Sequence, residues 1–498
     1  MRHPWFFLLA ATAAAQVPSA VPPAALAGID RTASNDLQAL AIPGVSIAAV
    51  DDGRLVYTGA FGVANIDSRL PVTPDMLFRV GSMTKMITAL TAVTVAQERG
   101  ISLDAPVGRY VTGLAPRIGA LSLSRLMSHT AGMRDVIVAT PIDDDRNEAD
   151  LLRAVRTWGD TLLFTEPGDV MSYSNLGFVL VGAFIEAVSG QRYADAVTAR
   201  VLKPLGIVDA TFRVNEALRQ PHADGHTSRA REKPSAVPAK TDTRLWPAGF
   251  LWATAGDYAR VAAALMNHGM IDGRQALSPA AVSAVTTPRT HMPGNSSASY
   301  GFGIAINGHG PTLTWTHNGR MDGFGSDILM SPVTKRAAVI LRNRLDTAPR
   351  ESIALLRRFV ANGEAVADLP APGLPAAVDV AGVYVNGADS IVVRPNGAAF
   401  TMREGGRAGT LSVSPANAYR FETVNESNGA AAVTPVFVVP DSVGGTKYLA
   451  MRMRAYRRVN AVPDAPDSIA RRARASFPDR WSPISSAISA RRASAAGR

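Results

Sequence analysis

Three short segments of the chain carry side chains that could do chemistry together. The first is Ser82-Met83-Thr84-Lys85, which places a hydroxyl and an amine three residues apart. On the first turn of a helix, both side chains would lie on one face with Cβ atoms roughly 5 to 6 Å apart. A serine hydroxyl needs a neighbouring base, and a lysine in an apolar setting near a helix N-terminus is pushed toward its neutral form. The pair predicts acyl transfer through Ser82.

The same residues also have a purely structural interpretation. Ser82 stands where a capping residue would, and Lys85 could extend its amine to solvent, since Ser-Xaa-Xaa-Lys occurs often by chance. The other segments must decide between the two interpretations.

The second segment is Tyr173-Ser174-Asn175. If it is extended, Tyr173 and Asn175 point the same way, so a phenol and an amide could converge on one substrate. The phenol can relay protons if its pKa falls, and the charge of Lys85 is expected to lower it. Alternatively, Tyr173 is an ordinary aromatic anchor of a loop.

The third segment is His317-Asn318-Gly319-Arg320, at the end of a predicted strand. Gly319 allows close backbone approach, and a backbone N–H here could join that of Ser82 to hold an oxyanion. His317 would add a polar or cationic contact. By itself, the segment is simply a histidine beside a turn.

Hydrophobic patterns predict the elements that position these segments. Residues 83–97 are apolar around the whole helical wheel, with Lys85 as the sole charge, so this helix must be buried, and Gly100 is a plausible stop. Further helices are predicted at 123–127, 150–158, 176–188, 255–266 and 352–360, and strands at 45–50, 54–61, 312–317, 324–330 and 336–341.

Two early strands and three late ones, with a helical block between them, predict an α+β fold. An antiparallel sheet would be assembled from both ends of one domain and flanked by helices, with an all-α subdomain in the middle. The polar, periodless residues 213–246 are predicted to be a long surface excursion near the site.

The remaining regions complete the predicted domain organisation. A Pro-rich linker at 366–375 would follow the main domain at 28–365, and short strand-like runs at 376–460 predict a small β-barrel. Residues 1–27 have the basic start, apolar core and small residues of a secretory signal and leader, so we expect a secreted or periplasmic protein. No later stretch is apolar enough to span a bilayer, and there is no cysteine.

The net charge of +10 is unevenly distributed along the 498 residues. Seven arginines and a single aspartate follow Ile469, so residues 461–498 are predicted to be a solvated basic tail that makes weak contact with an anionic envelope surface. No nucleic-acid recognition motif accompanies the charge.

Together the three segments resemble those of the serine β-lactamase and penicillin-binding protein superfamily, especially its class C β-lactamase-like branch of D,D-carboxypeptidases, D-aminopeptidases and esterases. Further matching motifs are Leu126-Met127-Ser128-His129-Thr130-Ala131-Gly132-Met133, Pro247-Ala248-Gly249-Phe250-Leu251 and Tyr300-Gly301-Phe302-Gly303. The resemblance covers about residues 30–345.

The resemblance implies roles for individual residues. Ser82 would be the acyl-forming nucleophile, Lys85 and Tyr173 would share general-base and general-acid duty, and Asn175 would orient the substrate. The backbone N–H groups of Ser82 and Arg320 would form the oxyanion hole, and the C-terminal barrel would be a lipocalin-like appendage. The substrate would be a small molecule or short peptide, with no cofactor and no metal.

The third motif departs from the Lys-Thr-Gly of true β-lactamases. A histidine can be neutral at pH 7, so the fixed charge that would grip a β-lactam carboxylate is weakened at His317, although Arg320 could compensate. A peptidase or esterase is therefore at least as consistent with the sequence as a β-lactamase.

Three other functions were considered. A metal hydrolase would rest on His222 and His226, which lack an acidic pair or further histidines nearby. An α/β-hydrolase would need a Gly-Xaa-Ser-Xaa-Gly elbow around Ser82, which is missing. A non-turnover penicillin-binding sensor or scaffold remains an alternative.

Overall fold

The chain folds into two domains in the computed structural model. Their described residues are 24–135, 144, 146–227, 234–293, 295–345, 347–362, 380–386, 389–396, 399–404, 407–413, 419–424, 431–440 and 446–459. Most of the predicted signal (1–23), the predicted linker (366–375) and the predicted tail (461–498) lie outside these residues.

An eight-stranded antiparallel sheet is the central element of the large domain. Its strands are β1 (Gly44–Asp51), β2 (Arg54–Gly62), β9 (Thr290–Met292), β10 (Asn295–Tyr300), β11 (Ala305–Asn307), β12 (Thr314–Met321), β13 (Phe324–Ser331) and β14 (Arg336–Arg342). They lie in the order β2-β1-β14-β13-β12-β11-β10-β9, and Val45 pairs with Arg342. The predicted antiparallel sheet built from both chain ends is confirmed, whereas β9 to β11 were not predicted because these short strands lack a clear alternation of apolar residues.

Short two-stranded ribbons accompany the main sheet. Their strands are β3 (Phe78–Arg79) with β6 (Trp252–Ala253), β4 (Gly225–Thr227) with β5 (Ser235–Val237), and β7 (Met270–Ile271) with β8 (Arg274–Gln275).

Twelve α-helices are found among the described residues. They are α1 (Ile29–Leu40), α2 (Thr84–Glu98), α3 (Pro116–Gly119), α4 (Leu123–Met127), α5 (Asp150–Val155), α6 (Asn175–Ser189), α7 (Tyr193–Val197), α8 (Val214–Ala217), α9 (Trp246–Gly249), α10 (Ala255–Met266), α11 (Pro279–Thr286) and α12 (Arg350–Val360). Helices α3 to α9 include the predicted helical block, and α1, α10 and α12 cover the sheet.

Helix α2 is the buried helix that the sequence predicted. All its residues from Thr84 to Val93 are buried, and it packs against α6, α9 and α11. A 3₁₀ turn at Gly81–Met83 precedes it, and Ser82 lies within that turn. The prediction that Ser82 caps the helix is wrong, because no side chain caps either the turn or the helix. The hydroxyl of Ser82 is thus available for other contacts.

Glycines let strand β12 approach the Ser82 turn. A Cβ atom on Gly319 would lie 2.0 Å from the carbonyl oxygen of Val80, and one on Gly81 would lie 2.5 Å from the backbone nitrogen of Arg320. Real Cβ atoms do not come this close to backbone atoms. The Ser82 turn and the strand of the third motif therefore touch through their main chains.

A closed antiparallel barrel forms the small domain. Its strands are β15 (Gly382–Asn386), β16 (Asp389–Asn396), β17 (Ala399–Glu404), β18 (Arg407–Val413), β19 (Tyr419–Val424), β20 (Ala431–Pro440), β21 (Thr446–Met451) and β22 (Arg454–Val459), and β15 closes on β22. Tyr384, Ile391, Met402 and Leu449 belong to its own apolar core. The predicted fold class, an α+β domain with a small C-terminal barrel, is confirmed.

Residues 213–246 differ from the predicted surface excursion. They contain α8, β4 and β5, and Trp246 is buried and donates its indole N–H to Thr241. His226 is fully buried: Nδ1 lies 3.1 Å from the carbonyl oxygen of Asn343, and Nε2 accepts from the N–H of Ile66. The sequence did not predict these contacts, because the segment has no clear hydrophobic period and His226 bonds to residues far away in the chain. Residues 228–233 lie outside the description.

Across the described ranges, the helices are all too short or too polar to traverse a bilayer.

The contact between Gly319 and Val80 predicts the effect of a single methyl group. Gly319→Ala should lower the free energy of unfolding by about 1–3 kcal/mol, because the strand must move away from the Ser82 turn. Gly256→Ala is the matched control, since its added Cβ would meet only the Thr254 hydroxyl at 3.6 Å. Urea unfolding measures both, and an unchanged midpoint for Gly319→Ala would contradict the close approach.

Candidate active site

Ser82 and Lys85 meet at the start of α2. The Nζ atom of Lys85 lies 3.2 Å from the Oγ atom of Ser82, while Ser82 itself is partly exposed. Because Ser82 is in the 3₁₀ turn and Lys85 in the first turn of the helix, their separation of three residues brings both side chains to the same side. The predicted hydroxyl–amine pair is thus formed.

Among the described residues, the amine of Lys85 has three hydrogen-bond partners, and the lysine is not exposed to solvent. Besides Ser82, Nζ contacts the Oδ1 atom of Asn175 at 2.7 Å and the carbonyl oxygen of Ala248. A neutral amine carries two N–H donors and one lone pair. It can therefore donate to Asn175 and Ala248, which only accept at these atoms, and accept the hydroxyl proton of Ser82.

The surroundings of Lys85 favour this neutral form. Complete burial lowers the pKa of Lys85 to about 7, opposed by the carboxylate of Asp135 and assisted by the charge of Arg454. The amine also lies 4.9 Å from the centroid of the Tyr173 ring. At neutral pH a large fraction of Lys85 is thus able to take a proton.

Tyr173 completes the group around Ser82. Its hydroxyl shares a hydrogen bond with Ser82, but burial raises its pKa above the ordinary value for tyrosine, against that hydrogen bond, which lowers it. The expectation that the pKa of this phenol is lowered is therefore wrong, because desolvation is the largest effect on it and exceeds that of the Ser82 hydrogen bond. Tyr173 is a neutral phenol that can donate a proton.

The segment that carries Tyr173 leads into α6 through an extended residue, Ser174, and is held on both sides. The N–H of Ser172 donates to the carbonyl oxygen of His129 at 2.8 Å, and the N–H of Ser174 donates to the Nδ1 atom of the same histidine at 3.2 Å. On the other side, the N–H of Tyr173 donates to the carbonyl oxygen of Met453 at 2.8 Å. The small barrel thus contacts the candidate catalytic tyrosine through the main chain.

His129 packs against the Tyr173 ring. The two ring centroids lie 4.2 Å apart, and burial lowers the pKa of His129 well below its ordinary value. Since Nδ1 accepts from Ser174, the proton of this neutral ring is on Nε2. His129 has a positive φ of 59°, so its backbone is itself in a strained conformation.

Asn175 is the first residue of α6, and its side chain lies between Lys85 and Asp135. Asp135 Oδ1 accepts from the backbone N–H of Asn175 at 2.7 Å and from its Nδ2 at 3.1 Å. This contact fixes the amide so that its oxygen faces Lys85. Asn175 therefore positions the amine, and its predicted role in orienting substrate stays a prediction.

His317 is held as a neutral ring within β12. Its Nδ1 donates to the carbonyl oxygen of Asn318 at 2.6 Å, so Nε2 accepts from the Tyr300 hydroxyl at 2.9 Å. Burial, assisted by the charge of Lys85, lowers the pKa of His317 to about 4. The third motif consequently brings no fixed positive charge through this histidine.

The other residues of the third motif alternate along the strand. His317 and Gly319 are buried, whereas Asn318 and Arg320 have exposed side chains. Arg320 approaches the Ser82 turn through its backbone nitrogen, next to Gly81. The main chain of Arg320 thus lies beside the Ser82 turn, and the oxyanion hole formed by the N–H groups of Ser82 and Arg320 stays a prediction.

Sequence reasoning missed Asp135 and Arg454 as parts of the site. Asp135 lies two residues after Met133, the last residue of a matching motif, so its position in the sequence could have indicated that it is near the site. Arg454 lies 319 residues further along, in the small barrel, and no local pattern marks it.

His222 and His226, the two histidines on which a metal hydrolase would rest, bond to backbone groups. His226 binds backbone groups as described above, and Nδ1 of His222 lies 2.8 Å from the carbonyl oxygen of Gln220. In the part of the chain that the structure describes, no three His, Cys, Asp or Glu side chains group as metal ligands.

Comparisons with known proteins agree with this geometry. A family model described as Beta-lactamase matches residues 29–362. Protein flp of Staphylococcus aureus (strain MRSA252) is 25% identical over 323 residues, which are 63% of this chain and 62% of the relative. Unguisins hydrolase ungD' of Aspergillus campestris (strain IBT 28561) is 28% identical over 339 residues, 64% of this chain and 62% of the relative. The chain thus spans about three-fifths of the length of these relatives.

Two solved structures are similar to this chain over 88% of its length. The crystal structure of SurE superposes with a TM-score of 0.72 at 24% identity and covers 88% of this chain and 99% of that one. SurE solved with D-Leu gives a TM-score of 0.69 at 23% identity, over 88% and 100% of the two chains. At these identities, the likeness concerns the fold.

The pKa of Lys85 predicts how the reactivity of Ser82 depends on pH. The rate at which a fluorophosphonate labels Ser82 should rise with pH as Lys85 loses its proton, with a midpoint near the pKa of about 7. No second change should occur below about pH 10, because the pKa of Tyr173 is raised. Mass spectrometry of the labelled protein measures the rate, and Lys85→Arg should remove the dependence together with most of the labelling. A midpoint near pH 4 would assign the base to a different group.

Proposed function

This chain belongs to the beta-lactamase family, whose model covers two-thirds of it, and we propose that it is an exported serine hydrolase that cleaves an ester or an amide through a covalent acyl-enzyme. The observation that carries the proposal is the 3.2 Å contact between the Ser82 hydroxyl and the buried Lys85 amine, whose pKa of about 7 makes the neutral form available near pH 7. A relative named for the hydrolysis of unguisins supports hydrolysis as the reaction class.

Acylation would begin at Ser82. Its Oγ atom attacks the carbonyl carbon of the substrate while its proton moves to Nζ of Lys85. The negative charge that develops on the carbonyl oxygen is held by the backbone N–H groups of Ser82 and Arg320. Asn175 and Ala248 keep the amine in place and stabilise the ammonium that forms, because both present oxygen atoms to it.

Tyr173 would protonate the leaving group. Its phenol is neutral and shares a hydrogen bond with Ser82. As the bond between the acyl carbon and the leaving oxygen or nitrogen breaks, the phenol gives up its proton and recovers one from the Lys85 ammonium. Water then attacks the acyl-enzyme, its proton passes to Lys85, and Ser82 leaves with a proton as the acid is released.

The histidine of the third motif favours substrates without a carboxylate at that position, and the exposed side chain of Arg320 is the remaining positive charge of this motif. Both ring nitrogens of His317 are occupied by Asn318 and Tyr300, and its pKa of about 4 leaves it uncharged at pH 7. A β-lactam or a D,D-peptide presents a carboxylate, which gains little from a neutral ring. We therefore propose esters, and amides of D-amino acids, as better acyl donors than β-lactams.

A panel of chromogenic substrates tests the proposal. p-Nitrophenyl esters, D-amino acid anilides, nitrocefin and D-alanyl-D-alanine peptides are compared by kcat/KM. We expect p-nitrophenyl esters to be hydrolysed steadily, and nitrocefin at least tenfold less efficiently, because one missing charge contact costs about 1.4 kcal/mol or more.

Variants of the site supply the controls. Ser82→Ala should abolish turnover, and Tyr173→Phe should lower it by about 10²–10⁴-fold while the protein stays folded. Acylation of Ser82 without turnover of any substrate would instead favour the non-turnover penicillin-binding sensor or scaffold. Full activity of Ser82→Ala would reject the acyl-enzyme altogether.

Export is tested separately from catalysis. The full chain should be found in the medium or the periplasm with residues near its N-terminus removed, whereas a variant that lacks residues 1–27 should remain in the cytoplasm. Cell fractionation followed by N-terminal sequencing measures this, and an uncleaved full-length protein in the cytoplasm would contradict it.

A further inference from the structure

The small barrel contributes a charged side chain to the surroundings of Lys85. Arg454 begins strand β22, directly after the two-residue turn of the β21–β22 hairpin. Its Nε atom donates to the Oδ2 atom of Asp135 at 3.0 Å, and its Nη2 atom donates to the same oxygen. The pair joins the two domains next to the candidate catalytic residues.

Asp135 transmits this contact to the amine. The side chain of Asp135 is only 3% exposed, and its other oxygen holds the backbone and side-chain N–H groups of Asn175. The amide oxygen of Asn175 then lies 2.7 Å from Nζ of Lys85. A continuous series of hydrogen bonds thus runs from Arg454 of the barrel to the base of the hydrolase domain.

The hairpin that presents Arg454 is in a strained conformation. Arg452 and Met453 form its turn with positive φ values of 51° and 66°. Two-residue turns of this kind usually contain asparagine and glycine, since other residues are disfavoured at positive φ. The turn nevertheless places Met453 against Tyr173 and Arg454 against Asp135, so its shape is suited to these two contacts.

Lys85, Asp135 and Arg454 have further charged and titratable groups around them. Besides one another, the described residues that interact with Lys85, Asp135 or Arg454 are Tyr173, His129, His317, Tyr456 and Asp389. The two histidines and the phenol of Tyr173 are neutral near pH 7. The balance between Asp135 and Arg454 therefore decides the electrostatic field at the amine.

We propose that Arg454 is a positioning residue for acyl transfer, which pairs Asp135 so that this carboxylate fixes the Asn175 amide without also holding Lys85 in its charged form. The barrel is then a functional part of the hydrolase. The inference rests on the proposed function, because it assigns Lys85 the role of base.

Replacing Arg454 tests the inference through the pH dependence of Ser82 labelling. In Arg454→Met, the unneutralised Asp135 should raise the pKa of Lys85, so the midpoint of fluorophosphonate labelling moves up by roughly one unit and the rate at pH 6 to 7 falls roughly tenfold. With a p-nitrophenyl ester, kcat should fall and KM should change little. Arg454→Lys should keep the midpoint within a few tenths of the wild-type value.

A second substitution separates charge from structure. Asn at position 135 can still accept from Asn175 but carries no charge, so the double variant Asp135→Asn with Arg454→Met should bring the midpoint back toward or below that of the wild type. The double variant and Arg454→Lys also keep the test intact if Arg454→Met fails to fold, because neither leaves an unpaired buried carboxylate.

Lys447→Met is the matched control. Lys447 is another barrel residue paired across the domain interface, with Asp169 at 2.8 Å, and this ion pair does not lead to Asn175. Its loss should leave the midpoint unchanged. The inference is overturned if Arg454→Met titrates like the wild type, or if Lys447→Met shifts the midpoint as much. Wild-type protein that is not labelled at all would instead reject the proposed function, and the inference with it.

Discussion

Burial of one lysine amine is the constraint on which the rest of the site depends. An ammonium is costly to place in the core unless it is paired, and the amine of Lys85 is fully buried with only neutral oxygen atoms in contact. The protein meets that cost by lowering the pKa of Lys85 to about 7. The fold thereby places an amine that titrates near neutral pH beside the hydroxyl of Ser82.

That constraint explains the positions of the neighbouring elements. The 3₁₀ turn before α2 carries Ser82, and the first turn of α2 carries Lys85. Helix α6 begins with Asn175, and α9 supplies the carbonyl oxygen of Ala248. Strand β12 closes the opposite side, where only glycine at 319 allows the main chains to touch. Each element contributes an atom to the site, and a small displacement of that element would break the contact.

The interface between the two domains is part of this arrangement. His129, through its carbonyl oxygen and ring Nδ1, and Met453, through its carbonyl oxygen, accept hydrogen bonds from the backbone of the short segment around Tyr173. Ser172 adds a hydroxyl that accepts from the N–H of Ala455 at 3.1 Å. Because hydrogen bonds are directional, these contacts restrict where the backbone of Tyr173 can lie, and with it the phenol that shares a hydrogen bond with Ser82.

The sequence by itself determined the features that depend on neighbours along the chain. Apolar residues around the whole wheel identified α2 as a buried helix, and the spacing of Ser82 and Lys85 predicted their contact. Short apolar runs located five strands of the main sheet, and the first two motifs contain residues that the fold brings into contact. These signals are local, since helix and strand periods repeat within a few residues.

Only the tertiary structure decided the electrostatics. The sequence predicted a lowered pKa for Tyr173, yet its pKa is raised because desolvation, which depends on everything packed around the ring, is the larger effect. The role of Asn175 against Lys85, the neutral tautomer of His317 and the pairing of Asp135 with Arg454 follow from contacts between residues far apart in the chain. Such contacts produce no periodic pattern in the sequence, because their partners are far apart in the chain and meet only when it folds.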